Sequence, residues 1–408
     1  MIRRRFFILL SLFSVLNVSV VVYILWSNQS GDSHSLTVPS KEMMLTANSA
    51  RSRKKILLLV YNNFFGTKEW LGVDSTCSIP RTRTKPCVKD MIEVTHDKQR
   101  FFESDFVLVH GASDLPSLRE LKIRRQQKPP SQKWIFHSSE SPYLIHVGHY
   151  GDMFDLTLSY RVDSDFWMPY GSYEQIPFVN ISQSDYSAGK DKLVAWMVSN
   201  CGPQPRKTLV HELQKYIAVD VFGGCSGEFG EPRSCPRNAD CTSILKRYKF
   251  YLSFENALCK DYLTEKYWDH LGEENVIPVV MGGANYAKLA IPGSYINVLD
   301  FNTVKDLADY LHFLDKNNIA YNEYFKWRQK YQRISLIKFC SICEVLSSET
   351  PKGHRNLVEF WEAQAECDEK EQLMMNMYKK KKLKYKYEQS KKRRWKEKLL
   401  NYIGGEEA

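Results

Sequence analysis

Several features are missing from this 408-residue sequence, and each absence excludes something. Beyond residues 6–26 there is no apolar run long enough to cross a bilayer, so no second span is expected. No second C-x-x-C accompanies Cys340-Ser-Ile-Cys343, and no βαβ pattern of the thioredoxin type surrounds it. That argues against a four-cysteine zinc site and against a redox motif. The chain also lacks a strong charge of one sign over most of its length. Lys and Arg number 57 against 47 Asp and Glu, a net +10, and residues 368–408 hold 13 basic and 7 acidic side chains, +6 of that excess. The remainder is only mildly basic, which argues against a nucleic-acid groove through the core. A content of 43% hydrophobic and 13% aromatic residues excludes disorder throughout, and the length suffices for two folded domains.

What is present begins with a segment without charge. Residues 1–5 carry three arginines, and residues 6–26 follow with no charged side chain, ending in Tyr23 and Trp26 and offering no A-x-A cleavage pattern. The expectation is a type II signal anchor, with residues 1–5 cytoplasmic, residues 6–26 in the membrane and everything beyond on the lumenal side. Residues 27–54 are polar and aperiodic, a stem. Ten cysteines on the lumenal side read as disulfides more readily than as thiols or zinc ligands. Asn28 and Asn180 head glycosylation sequons, whereas Asn17-Val-Ser lies within the apolar run.

Continuous apolar runs ending in polar residues mark two series of buried strands. In a first domain over residues 55–188, strands are expected at 56–60, 106–109 and 134–136, with a helix in 113–127. Glu140-Ser-Pro142 follows the third strand, and the proline holds Ser141 extended, which puts Glu140 on a loop just past a strand. A carboxylate so placed suits a general base, although most exposed loop glutamates are simply solvated. A second domain over residues 189–345 shows strands at 193–198, 218–222, 248–254, 276–281 and 294–298. Helices are expected at 207–216 and at 303–314, the latter capped by Asn302. Arg206 stands between a strand end and a helix start, where its planar fork suits a phosphate. Residues 223–241, dense in Gly, Pro and Cys, read as a stapled loop, residues 346–367 as a return segment and residues 368–408 as a basic tail.

The most informative stretch is residues 248–283. Phe250, Leu252 and Phe254 alternate with Tyr251 and Ser253, and the strand stops at Glu255-Asn256. A helix is expected from Asp261, which would place Tyr262, Glu265 and Lys266 on one face of its first turns. The next buried strand closes at Gly282-Gly283, completing a βαβ unit with polar groups at the carboxyl end of a strand. Open α/β sheets bind ligands there, and anionic groups suit a helix amino terminus. Lys266 is thereby a second candidate phosphate ligand.

The run FYLSFENALCKDYLTEK with VIPVVMGG resembles the α1,3-fucosyltransferases, glycosyltransferase family 10. Supporting matches are Glu140-Ser-Pro142, Tyr160-Arg161 to Pro169-Tyr-Gly171, Val194-Ala-Trp-Met-Val-Ser-Asn200 and Tyr321-Asn-Glu-Tyr-Phe-Lys-Trp327. The resemblance implies an α/β GT-B fold, two Rossmann-like domains facing a cleft, behind a single transmembrane helix. It implies inverting transfer of L-fucose from GDP-fucose to O3 of a GlcNAc on a glycoprotein N-glycan, in the Golgi lumen. Glu140 would be the base, Arg206 and Lys266 would hold the pyrophosphate, and Asn256, Tyr262 and Glu265 would touch the nucleotide sugar, with Tyr251 and Glu255 in support. No metal is expected as part of the site; manganese or magnesium would act at most as a stimulant. The cysteine-rich segment with Cys201, Cys225, Cys235, Cys241 and Cys259 resembles the core-type members, which act on the innermost GlcNAc of N-glycans. Three departures go against that likeness: residues 200–206 run a residue short, Phe-Gly-Gly-Cys225-Ser-Gly carries added residues, and Glu362-Ala-Gln-Ala365 lacks a Gly-Pro pattern. The spacing of Cys77 and Cys87 against Cys340 and Cys343 is also family-like, implying two long-range bridges whose pairing spacing does not define. Lewis-type transfer to LacNAc antennae is the alternative acceptor reading, and an inactive membrane-anchored glycan-binding protein is the alternative of another class.

Overall fold

The computed structural model describes residues 55–72, 89–112, 115–181, 184–202, 204–235, 241–272, 275–334, 336, 338–346, 353 and 356–367. The expected anchor and stem, Asn28, Cys77, Cys87 and the basic tail lie outside them. Among the described residues no helix is long and apolar enough to cross a membrane.

Two parallel sheets organise the chain. The first is β1 (Ile56–Val60), β2 (Ile92–Thr95), β3 (Phe106–His110), β4 (Lys133–Ser138), β5 (Leu156–Ser159) and β6 (Phe166–Trp167), ordered β2-β1-β3-β4-β5-β6. An antiparallel ribbon pairs β7 (Ser172–Gln175) with the late strand Tyr331–Ile334. The second sheet is β8 (Lys192–Met197), β9 (Val219–Phe222), β10 (Tyr248–Phe254), β11 (Ile277–Met281) and β12 (Ile296–Asn297), ordered β12-β11-β10-β8-β9. All seven residues of β10 are buried, because it is central in its sheet and covered on both faces. That burial explains why the strands expected between residues 56 and 281 coincide closely with the observed ones, since a strand wet on neither side is mostly apolar; of the run expected at 294–298 only Ile296–Asn297 forms a strand.

Helix boundaries differ more from expectation. Thr303, not Asn302, caps the helix Val304–Lys316, in a reciprocal capping box with Asp306. The helix Leu118–Gln127 begins after the cap Ser117, and the helix bearing Arg206 spans Gln204–Leu213.

The order of the second sheet reverses between β8 and β10, since β8 leads outward to β9 while β10 leads the other way to β11 and β12. Such a switch point leaves an open crevice at the carboxyl ends of the strands. Residues 356–367 then fold back over the first sheet's loops. Leu357 donates its N–H to Gly151 O at 3.1 Å, Trp361 Nε1 donates to Ile145 O at 3.0 Å, and Val147 N–H donates to Glu362 Oε1 at 2.5 Å. The same segment meets the second sheet's loop, where Lys260 N–H donates to Ala365 O at 2.7 Å and Cys259 bonds Cys367.

Candidate active site

Glu140 is delivered by β4. The strand ends at Ser138, whose hydroxyl accepts from Glu140 N–H at 3.1 Å and donates to Glu140 O at 3.0 Å, closing a tight turn that turns the chain out of the sheet. Glu140 is half-buried. Its Oε2 accepts a hydrogen bond from the Tyr262 hydroxyl at 3.2 Å. Tyr262 is itself buried, and its ring packs on Tyr160 at 4.9 Å and Tyr170 at 6.3 Å between centroids. Burial, then Tyr170 and Glu140, push the phenol well above its ordinary pKa, so it stays protonated and donates. Tyr170 in turn donates to Ser139 O at 2.6 Å, fixing the loop that carries the carboxylate.

The second half of the site gathers at the switch point. Arg206 lies on the helix after β8, and although 97% hidden from solvent it stands beside no carboxylate within ion-pair distance among the described residues; its NH1 group donates to Phe254 O at 3.4 Å and NH2 donates to Asn200 O. Its Nε–H is buried without a partner. Burial pulls the guanidinium below its ordinary pKa, partly offset by Glu255. Glu255, the residue after β10, is buried and accepts from Thr264 N–H and from the Thr264 hydroxyl, both at 2.8 Å. Burial raises its carboxyl above the usual range, against the pull of Lys266. Asn256 follows, with its Oδ1 buried and unpartnered. These groups, with Tyr143, Leu258 and Cys367, line a tight cavity with only about 10 Å³ of free space. A buried cation with a spare donor beside an unpartnered acceptor is poised for a polar, anionic guest.

Lys266 completes this half. Its Nζ lies 2.8 Å from Glu265 Oε1, 2.9 Å from Thr264 Oγ1 and 3.5 Å from Glu255 Oε2. Burial works against its charge, but the Glu255 and Glu265 carboxylates hold the ammonium above its ordinary pKa. Burial likewise acts to raise Glu265, yet Lys266 keeps that carboxyl low, and its side chain is half-exposed.

The expected shared helix face is corrected here. The helix is the short segment Glu265–Trp268, capped by Thr264, and Asp261 has φ +60°, which no α-helix accommodates. Tyr262 therefore sits on the preceding loop and reaches towards Glu140, while Glu265 and Lys266 open the helix. Thr264 was legible as a cap ahead of Glu265-Lys266 but is hidden by starting the helix at Asp261. Tyr251 is buried in β10, its ring centroid 3.9 Å from His270 and its phenol on the Met197 backbone. Gly282 and Gly283 are required by close approach: a Cβ on Gly283 would lie 2.3 Å from Leu258 O, and one on Gly282 would lie 2.5 Å from the Tyr286 hydroxyl.

Cys201 bonds Cys225, Cys235 bonds Cys241, and Cys340 and Cys343 are both in disulfides. Cys367, not among the expected candidates, is the partner of Cys259. Asn180 is exposed. Among the described residues no group of three His, Cys, Asp or Glu side chains is arranged to hold a metal ion.

Comparison with known proteins gives this geometry a family. Residues 52–171 match the family described as fucosyltransferase, N-terminal, and residues 187–361 match glycosyltransferase family 10 (fucosyltransferase) C-term. The chain is 36% identical over 264 residues to a 3-galactosyl-N-acetylglucosaminide 4-alpha-L-fucosyltransferase of Bos taurus, 63% of this chain and 70% of that one. It is 35% identical to glycoprotein 3-alpha-L-fucosyltransferase A of Drosophila melanogaster, over 69% of this chain and 56% of that one. A solved α1,3-fucosyltransferase aligns with a TM-score of 0.47 at 16% identity, over 79% of this chain and 95% of that one. The chain belongs to glycosyltransferase family 10, the fucosyltransferases.

Proposed function

We propose that this protein transfers L-fucose from GDP-fucose, with inversion, to O3 of a GlcNAc in glycoprotein glycans, the innermost GlcNAc of N-glycans being the acceptor. The observation that carries this reading is the meeting of a carboxylate from one sheet with a cation-lined crevice from the other. Glu140 from β4 is held by Tyr262, and Tyr262 is four residues from Lys266. In this GT-B arrangement Glu140 takes the proton from the acceptor hydroxyl as its oxygen attacks the fucose anomeric carbon. The bond from that carbon to the β-phosphate oxygen breaks on the opposite side, and GDP departs with the electron pair. Arg206 and Lys266 neutralise the charge that develops on the pyrophosphate, and they are placed before reaction begins. Asn256, Tyr262 and Glu265 contact the nucleotide sugar, with Glu255 and Tyr251 supporting from beneath.

The same reading places the enzyme in the Golgi membrane through residues 6–26, with domains over 55–188 and 189–345 in the lumen. It is supported by the disulfides, which persist in oxidising compartments, and by exposed Asn180 in its sequon. Similarity to the Drosophila glycoprotein 3-alpha-L-fucosyltransferase supports a glycoprotein acceptor. Similarity at 36% to a human 4-galactosyl-N-acetylglucosaminide 3-alpha-L-fucosyltransferase favours a LacNAc antenna as the second reading. Incubation with a panel of sugar nucleotides and with N-glycan core and LacNAc acceptors tests both, with linkage analysis of the product by mass spectrometry. Fucose on O3 of the innermost GlcNAc is expected; turnover only with another sugar nucleotide would overturn the donor assignment.

A further inference from the structure

A second cleft among the described residues lies apart from the cavity lined by Arg206. It opens between the end of the first sheet and the helices of the second, about 410 Å³ in volume, and none of the expected site residues lines it. Its walls include Trp167 of β6, Tyr173 of β7 and Tyr331 from the opposing ribbon strand, with Tyr160, Asp261 and Lys288 among the polar groups. Tyr173 and Tyr331 meet edge to face, centroids 5.5 Å apart, and both are half-buried. Tyr160 is 2% exposed and its hydroxyl has no hydrogen-bond partner. Asp261 is 8% exposed, and its carboxylate accepts only a long 3.3 Å bond from Val162 N–H among the contacts it makes with hydrogen-bond geometry. Its left-handed backbone is unusual for a residue with a side chain, and such conformations concentrate at functional sites.

Aromatic faces flanked by an unpartnered phenol and an under-used carboxylate match one ligand chemistry well. A pyranose has an apolar C–H face that lies on an aromatic ring, and a rim of hydroxyls that donates to carboxylates and exchanges hydrogen bonds with phenols. A free anion is disfavoured by Asp261 and Glu174, and a purely apolar guest would leave the Tyr160 hydroxyl buried without a partner and Asp261 with only its long bond from Val162 N–H. The cleft also adjoins the chemistry, because the Tyr160 ring packs on Tyr262, which holds Glu140.

We propose that this cleft seats a pyranose unit of the acceptor glycan other than the sugar that receives fucose, resting on the Tyr331 and Tyr173 rings with its hydroxyls turned to Asp261 and Tyr160. This rests on the glycan-acceptor reading above and adds a second contact that makes extended acceptors better substrates than short ones. The test uses the full chain and two acceptors, a simple GlcNAc glycoside and a complete N-glycan glycopeptide. In Tyr331→Ala the KM for the glycopeptide should rise about tenfold, the worth of about 1.4 kcal/mol. The kcat, the KM for GDP-fucose and the KM for the glycoside should stay unchanged, and Tyr331→Phe should restore the glycopeptide KM. Lys288→Ala, at the exposed mouth, gives the same comparison if Tyr331→Ala does not fold. Equal effects on both acceptors, or no effect on either, would overturn the subsite. Should the wild type fucosylate neither acceptor, the transferase reading fails by itself. Calorimetric titration with the glycopeptide then decides the subsite, tenfold weaker binding in the variants supporting it and unchanged binding overturning it.

Discussion

The Tyr262 hydroxyl donates to Glu140 Oε2 at 3.2 Å, linking two residues 122 positions apart in the chain. One comes from the carboxyl end of the first sheet and the other from the loop after the central strand of the second. Replacing Glu140 by Gln keeps the shape and removes the base. Transfer should fall by about 10²- to 10⁴-fold, while GDP-fucose binding measured by calorimetry stays as in the wild type. Turnover retained in Glu140→Gln would remove this residue from the proton-accepting role.

Thr264 ties the two carboxylates and the lysine of the second half together. Its hydroxyl donates to Glu255 and accepts from Lys266 Nζ at 2.9 Å, so it positions the ammonium without touching a reacting atom. Thr264→Val leaves a buried carboxylate short of a donor, a loss of about 1–3 kcal/mol. We expect the KM for GDP-fucose to rise roughly tenfold with a smaller change in kcat, and Thr264→Ser to recover it. A Ser variant as impaired as Val would show that shape, not the hydroxyl, matters at this position.

Burial on both faces made these strands readable: β1 and β11 are apolar runs, β4 holds the apolar core 134–136 and β10 alternates Phe250, Leu252 and Phe254 with Tyr251 and Ser253, the four ending at Tyr61, Gly282, Ser139 and Glu255 respectively. The loops were less readable because their conformations are set by distant contacts. Nothing local in Cys259-Lys-Asp-Tyr262 signals that Asp261 adopts φ +60°; the loop is held by Gly283 beneath it and by Cys367 from the far end of the chain. Lys266 and Glu265 could be chosen from the stretch itself, whereas the partnership of Tyr262 with Glu140 required the two sheets to be brought together.

Acid should weaken the fold through its buried histidines, His110 and His270 among them. Burial depresses the pKa of His110, beside Lys338 and His137, to about 4, and that of His270, beside Asp269, Glu265 and Arg333, also to about 4. Both rings are neutral in the folded protein, while the unfolded chain takes up protons near pH 6.5. Their contribution is therefore complete above pH 6.5 and is lost as pH falls towards 4, by on the order of 2 kcal/mol for each at pH 5. The Tm should drop between pH 7 and pH 5, and His110→Phe, set among Phe64, Phe65 and Trp70, should flatten the drop. An equally steep fall in the variant would assign the acid sensitivity elsewhere.

The Cys259–Cys367 disulfide closes a loop of 108 residues and fastens the return segment three residues before Tyr262. The same segment holds the loop after Glu140 through Trp361 and Glu362, so one strap reaches both partners of the Tyr262–Glu140 hydrogen bond. Loss of the bridge frees the unfolded chain and costs about 2–5 kcal/mol. It also removes the tie that holds the left-handed turn at Asp261, which leaves Tyr262 less firmly placed. Cys367→Ser should lower the Tm and, at a temperature where the variant is still folded, reduce kcat more than the KM for GDP-fucose, because Arg206 and Lys266 are held by other contacts. A lowered Tm with unchanged kcat would confine the strap to stability. A raised KM for GDP-fucose with unchanged kcat would instead place its effect at the cavity that Cys367 helps to line.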